Sequence, residues 1–226
     1  MIVVISPAKK LDMTQNCAVE ASHPSFHSET DELVAVMQAL SSNEIGRLMG
    51  ISANLADLNS DRFARFGKQE KKPAMYAFAG DTYQGLDAKT FTDEDLVWAR
   101  DHLRILSGLY GLLRPLDEIE PYRLEMGSHL QTNRGKNLYD FWGTELSSEL
   151  NKIAMKTNTQ VLLNCASKEY FSAIDIKSLK LKLVTPVFLE NAASKPKIIS
   201  FFAKKARGAM ARFVMQNKIT TINNIL

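Results

Sequence analysis

Apolar and polar positions alternate along this chain with two different periods, and the changes of period mark out its elements. Ile2-Val3-Val4-Ile5 is an unbroken β-branched run that stops at Ser6-Pro7, the signature of a buried strand. Leu33, Val36, Met37 and Leu40 recur at helical spacing, so residues 29–40 are expected to form an amphipathic helix. Residues 42–57 read as a second helix, capped by Ser42 or Asn43. A polar connector at 67–73 leads to a strand expected over Met75–Ala79 that ends at Gly80-Asp81. Thr92 and Asp95 have the spacing of a capping box, and three acids in a row suit the positive end of the helix dipole; that helix is expected to run to about Leu106. Gly108 and Gly111 break the pattern. Beyond them the reading is a strand over 122–126, a helix over 138–153, strands over 160–164, 183–189 and 197–202, and a last helix over 204–217.

Strands and helices are mixed without strict alternation, and there is no internal repeat or long linker. The expectation is a mixed α/β fold: one domain spanning 1–226, a mixed central sheet and surrounding helices. With 226 residues, 45% of them apolar and 23% charged, the chain can bury a substantial core. Two cysteines, Cys17 and Cys165, are too few for a disulfide framework and fit a reducing compartment. The N-terminal apolar run lacks a basic flank and stops after five residues. No stretch reaches the ~20 apolar residues of a membrane span. A cytoplasmic protein without membrane contact is expected.

The net charge of +3 conceals an asymmetry. From Asn191 to Leu226 there are seven bases (Lys195, Lys197, Lys204, Lys205, Arg207, Arg212, Lys218) and no acids. On the last helix, at ~100° per residue, five of these bases fall within an arc of about 160°, and Ala206, Met210, Phe213 and Val214 make the expected buried stripe. A helix packed on one face and basic on the other suits a phosphate backbone; a solvated basic face is the plainer alternative.

A second candidate is Leu106–Arg114, where one helical pattern gives way to another across Ser107-Gly108-Leu109-Tyr110-Gly111. Glycines let backbone N–H groups approach an anion, and the stretch resembles a helix-hairpin-helix; the competing reading is a plain helix–helix turn. Arg104 and Arg114 flank it, with Arg100, Arg123 and Arg134 nearby. Arg123 and Glu125 are spaced to pair with each other.

The third candidate is a set of loops at expected strand ends: 6–10, 80–85 and 164–170. Their Lys9, Asp81, Tyr83, Ser167, Glu169 and Tyr170 could line a pocket, since ligands of α/β folds bind where strands end. Cys165 follows a strand and could be a nucleophile or a buried thiol. His23 and His27 are separated by Pro24, and His102 and His129 stand alone. No phosphate loop, dinucleotide fingerprint, nucleophile elbow or paired-cysteine motif appears, so neither cofactor nor metal is expected.

Several runs together resemble the peroxide stress protein YaaA family: Ile5–Lys9, Gly80–Leu86, His102–Gly111, Leu113–Asp117, Pro121–Gly127, Leu138–Gly143, Ala166–Tyr170 and Ala203–Gly208. They span nearly the whole chain in the family's order. Lys10 stands where threonine is familiar and Cys165 where alanine or leucine is, and relatives often continue beyond the position of Leu226. The resemblance implies a cytosolic bacterial protein that limits oxidative damage under hydrogen peroxide and lowers unincorporated iron. It also implies an unusual mixed α/β fold with a helix-hairpin-helix and a basic cleft that binds DNA. Carried onto this sequence, the hairpin falls on Ser107–Gly111 and the cleft bases on Lys204, Lys205, Arg207 and Arg212. The expected partner is DNA, read by backbone and shape. The alternative is an enzyme acting on a nucleotide or other phosphorylated small molecule at Lys9, Asp81, Tyr83, Ser167 and Glu169.

Overall fold

The computed structural model describes residues 1–14, 19–189 and 200–225. In chain order the strands are β1 (Ile2–Ile5), β2 (Lys10–Leu11), β3 (Lys72–Pro73), β4 (Phe78–Ala79), β5 (Leu103–Ser107), β6 (Gly111–Leu113), β7 (Glu118–Ile119), β8 (Val161–Cys165) and β9 (Lys182–Val184). The helices are α1 (His27–Gln38), α2 (Ser42–Met49), α3 (Ala53–Ala64), α4 (Ala74–Ala77), α5 (Asp81–Leu86), α6 (Asp93–His102), α7 (Leu138–Trp142), α8 (Glu145–Lys156), α9 (Lys168–Phe171) and α10 (Ser200–Gln216). The architecture is mixed α/β, as expected.

The main sheet has the order β6-β5-β1-β8-β9. β5, β1, β8 and β9 run parallel, and only β6 is antiparallel, to β5. β1 is the centre, with Val4 opposite Arg104 on one side and Asn164 on the other. All four of its residues are buried, which is why it reads as a continuous β-branched run rather than an alternating one. One contiguous apolar cluster surrounds it, drawing on α1, α6, α8 and α10. Among the described residues no helix is long and apolar enough to cross a membrane.

Several expected elements change. The helix begun at Thr92 has its capping box (Asp95 N–H to Thr92 Oγ1, 3.2 Å; Thr92 N–H to Asp95 Oδ2, 2.9 Å) but ends at His102. Leu103–Ser107 is the strand beside β1. A short apolar run continuing a helical pattern looks the same in either state, and here the vacant edge of β1 decides it. The helix over 42–57 is two helices. Ser41 caps α2 in a reciprocal box with Glu44, and Gly50, in the left-handed region at φ 60°, ends it. The helix over 138–153 is likewise divided, at Gly143 (φ 46°). Of the strand expected over Met75–Ala79, residues 75–77 belong to the helical turn α4 and only Phe78–Ala79 is a strand. The strand over 183–189 stops at Val184, before Pro186. Residues 122–126 have no regular structure, although Arg123 and Glu125 pair as expected at 2.9 Å. The strand over 197–202 lies outside the described residues up to 199, and from Ser200 the chain is helical.

The largest correction falls on Ser107–Gly111. No helix flanks this segment: it is the tight turn of the β5–β6 hairpin, with Ser107 opposite Gly111. It is buried throughout, so Ser107, Gly108, Leu109, Tyr110 and Gly111 offer no surface to DNA. Its glycines serve packing. A Cβ on Gly108 would lie 2.3 Å from the Leu124 carbonyl oxygen, and one on Gly111 2.7 Å from the Trp142 ring. Trp142 Nε1–H donates to the Gly108 carbonyl at 3.1 Å, and Ser107 Oγ accepts the Tyr110 N–H at 2.9 Å.

Candidate functional site

From β1 the chain leaves toward β5 on one side, and from β8 it leaves toward β9 on the other. Loops diverging from neighbouring parallel strands leave a crevice beyond their carboxyl ends, the place where open α/β sheets bind ligands. Here that crevice has a volume of about 380 Å³. Its walls are the loop after β1 (Ser6–Lys10), the start of α5 (Gly80–Thr82), the loop after β8 (Cys165–Tyr170) and, from α10, Lys204 and Arg207. The three loops that the sequence singled out therefore meet, and two of the basic residues join them.

Short polar contacts hold the loops. The Ser167 N–H donates to Ser6 Oγ at 2.8 Å, and Ser6 Oγ–H points to Ser167 Oγ at 3.3 Å, tying the end of β1 to the end of β8. Tyr83 O–H donates to the Ser6 carbonyl at 3.1 Å, adding α5. Burial raises the Tyr83 hydroxyl well above the usual phenol range, with Tyr122 and Tyr170 contributing; it is a fixed donor and not a base. Tyr170 is buried and raised for the same reason. Glu169 is exposed, and its Oε1 accepts the Gly127 N–H at 3.1 Å. Lys9 reaches Glu125 Oε1 at 3.2 Å, and the same oxygen takes Arg123. Asp81, Lys204 and Arg207 have no ion-pair partner among the described residues. Cys165 also borders the crevice, but burial pushes its thiol up to about 12 against a smaller opposing effect of Arg207, so it is protonated and a poor nucleophile. Among the described residues no three His, Cys, Asp or Glu side chains gather as a metal site.

α10 lies differently from the helical-wheel expectation. Its buried face is Ala203, Gly208, Ala211, Val214 and Met215; of the expected stripe Val214 is buried, Ala206 and Met210 are half-buried, and Phe213 is 46% exposed. Small size selects the part of this face that crosses α5. A Cβ on Gly208 would lie 1.8 Å from the Thr82 carbonyl oxygen, and one on Gly85 2.0 Å from that of Lys205, so α5 and α10 touch backbone to backbone. The face carrying the bases is thereby turned toward the molecule and the bases splay to its edges. Lys204 and Arg207 reach the crevice. Arg212 pairs with Asp87 at 2.7 Å and Lys218 with Glu94 at 2.9 Å, while Lys205 is exposed outside the crevice. Arg104 and Arg114 do not join them. Both line a separate cavity, and Arg114 is held by Asp117 at 2.9 Å and by the His23 carbonyl at 2.7 Å.

The sequence reading passed over two features. Lys10, read as the end of the 6–10 loop and not as a site residue, lines the crevice and brings a further cation. And a helix–turn–helix with a glycine does exist, at α2–Gly50-Ile51-Ser52–α3, where the first residues of α3 are exposed. Its signal was the Gly50 stop followed by Ser52, hidden because apolar residues continue at helical spacing through the turn.

The family model described as peroxide stress protein YaaA matches residues 1–226. The UPF0246 protein of Ruegeria pomeroyi (strain ATCC 700808 / DSM 15171 / DSS-3) is 54% identical over 224 residues, covering 97% of this chain and 87% of the relative. That of Dinoroseobacter shibae is 52% identical over 229 residues (100% and 86%), and that of Saccharophagus degradans 47% over 230 residues (100% and 90%).

Proposed function

The chain belongs to the peroxide stress protein YaaA family, and from that premise we propose that it serves the peroxide stress response by binding DNA, with the phosphate backbone entering the crevice beyond β1 and β8. The observation that carries this is the meeting of Lys204 and Arg207, both without a carboxylate partner among the described residues, with Lys9 and Lys10 at one opening. Cations that are not already neutralised gain most from a phosphate and release its counterions. Backbone and shape are read, and base contacts are few. The exposed α2–α3 hairpin supplies main-chain N–H groups as a second backbone contact, the role first expected of 107–111. Lowered unincorporated iron, the other part of the family expectation, is taken as a downstream effect and is read as chelatable iron in cells lacking the protein.

Binding measured by fluorescence anisotropy across a salt series tests the proposal. If Lys10, Lys204 and Arg207 each neutralise one phosphate, Lys9 being held by Glu125, log K falls with log salt at a slope of roughly −3. Converting Lys204 and Arg207 to Ala reduces the slope by about 2, while Arg212→Ala, whose charge is already spent on Asp87, leaves it nearly unchanged. A salt-insensitive affinity, or equal effects of all three substitutions, refutes it.

One observation favours a second reading, a phosphorylated small molecule in the same crevice. The carboxylates of Asp81 and Glu169 share the walls with the bases, and a polyanion alone has no use for them. A mononucleotide that displaces DNA at micromolar concentration, with turnover lost in Asp81→Asn, supports it.

A further inference from the structure

A second cavity, of about 430 Å³, opens where α6 runs into β5 and where α8 ends; it shares no residue with the crevice. At its wall is Arg104, 5% exposed. Nη1 of Arg104 donates to the carbonyl oxygens of Arg100 (2.9 Å) and Leu103 (2.6 Å). Nε and Nη2 have no hydrogen-bond partner, and no carboxylate pairs with the guanidinium, among the described residues. This is the edge of the guanidinium fork that grips an oxyanion through two parallel N–H bonds. Burial depresses Arg104 to about 10, with Asp117 the strongest opposing influence. With three of its five N–H donors unused among the described residues, the guanidinium is open to a partner that enters the cavity.

The rest of the lining says what that is. Arg100 and Lys156 stand at the rim, exposed and without ion pairs among the described residues, and add positive charge beside Arg104. Glu20, Asp101 and Glu149 border the same cavity. Those carboxylates repel a polyanion such as DNA, but they are good acceptors for hydroxyl groups. We propose that this cavity binds a phosphorylated sugar, with the phosphoryl oxygens on the Nε–Nη2 edge of Arg104 and the hydroxyls on the acidic rim. The volume is in the range of small-molecule sites. Arg114 contributes little, being committed to Asp117.

The test is calorimetry on the full chain with glucose 6-phosphate, inorganic phosphate and glucose, together with the Arg Nε–H signals in NMR. Expected are one molecule of glucose 6-phosphate bound at least tenfold more tightly than phosphate, no binding of glucose, and a saturable shift of the Arg104 Nε–H signal. Arg104→Lys keeps the charge, loses the fork and weakens binding at least tenfold. Because that site is buried, Arg100→Ala and Lys156→Ala at the exposed rim serve as second variants, each weakening binding several-fold at unchanged melting temperature. The Lys204→Ala, Arg207→Ala double variant binds as before. Phosphate as tight as the sugar phosphate, an unmoved Arg104 signal at saturation, or loss of binding in the crevice variant overturns the proposal.

Discussion

Replacing Gly208 by Ala sets two physical effects against each other, and the structure says which wins. Gly208 is inside α10, where helix propensity alone makes Ala more stable than Gly by ~1 kcal/mol. The new Cβ, however, would lie 1.8 Å from the Thr82 carbonyl oxygen and 2.7 Å from the Leu86 nitrogen, and these gaps must open to at least 3.0 Å. Both obstacles are backbone atoms of α5, so no side-chain rotation relieves the clash. α5 is fixed in turn by Gly85 against the Lys205 carbonyl and by Tyr83 against Ser6. Overpacking of this kind costs ~1–3 kcal/mol, and a backbone-to-backbone clash belongs at the upper end. The net loss is ~2 kcal/mol, which for a chain of this size lowers the melting temperature by ~4–8 °C. Thr82 and Arg207 both line the crevice, so on the proposed function DNA affinity is expected to fall as well. Gly46→Ala in α2 is the control. Its Cβ would meet Ala56 Cβ at an ordinary 3.4 Å, so propensity dominates and stability rises by up to ~1 kcal/mol. Scanning calorimetry reads both variants. A Gly208→Ala protein that melts at or above the parent temperature would refute the account of how α10 is seated.

Two further outcomes follow from buried titratable groups. His102 stacks on Trp98 at 3.9 Å and its Nδ1 lies 2.9 Å from the Met1 carbonyl; burial holds its pKa below the ordinary 6.5. The unfolded chain therefore binds this proton first, so the contribution of the neutral imidazole is complete above pH 6.5 and is lost as pH falls from 6.5 through the folded value. Urea denaturation at pH 7.5 and 5.5 should show a smaller pH dependence in His102→Gln than in the parent, and an equal dependence would remove His102 as its source. Cys165, with its thiol near 12, should resist iodoacetamide at pH 8 in the folded protein and react once urea unfolds it, read by mass spectrometry of the Cys165 peptide; rapid labelling in the native state would contradict its burial.

What the sequence made legible was local. β1 showed itself because a strand buried on both faces is apolar without interruption, and the Thr92–Asp95 box because both halves of it lie within four residues. What it concealed depended on partners distant in sequence. Leu103–Ser107 continues the apolar pattern of α6, and only the open edge of β1, a hundred residues earlier, makes it a strand. The glycines at 108 and 111 invite an open turn, yet Leu124 and Trp142 close over them. The three strand-end loops could be proposed as neighbours on general topology, but their meeting required β8 to return beside β1.

The same distinction decides how a basic helix should be read. A helical wheel assigns the buried face by hydrophobicity, and for α10 it chose Ala206, Met210, Phe213 and Val214. At the crossing with α5 the structure chose by size, because a partner helix with a glycine there lets backbones touch only where the facing residues are Gly or Ala. Turning the helix in this way changes what its charges can do. On an outward stripe, five bases would act alike and each would take a phosphate. Seated as they are, Arg212 and Lys218 are neutralised by Asp87 and Glu94, and Lys204 and Arg207 become the wall of a crevice built by the ends of β1 and β8. Among the described residues, three of the five positions, Lys204, Lys205 and Arg207, therefore keep an unpaired charge, and two of them face the crevice. A variant of the other bases that abolished DNA binding would mean that the outward stripe, and not the crevice, is the surface the nucleic acid meets.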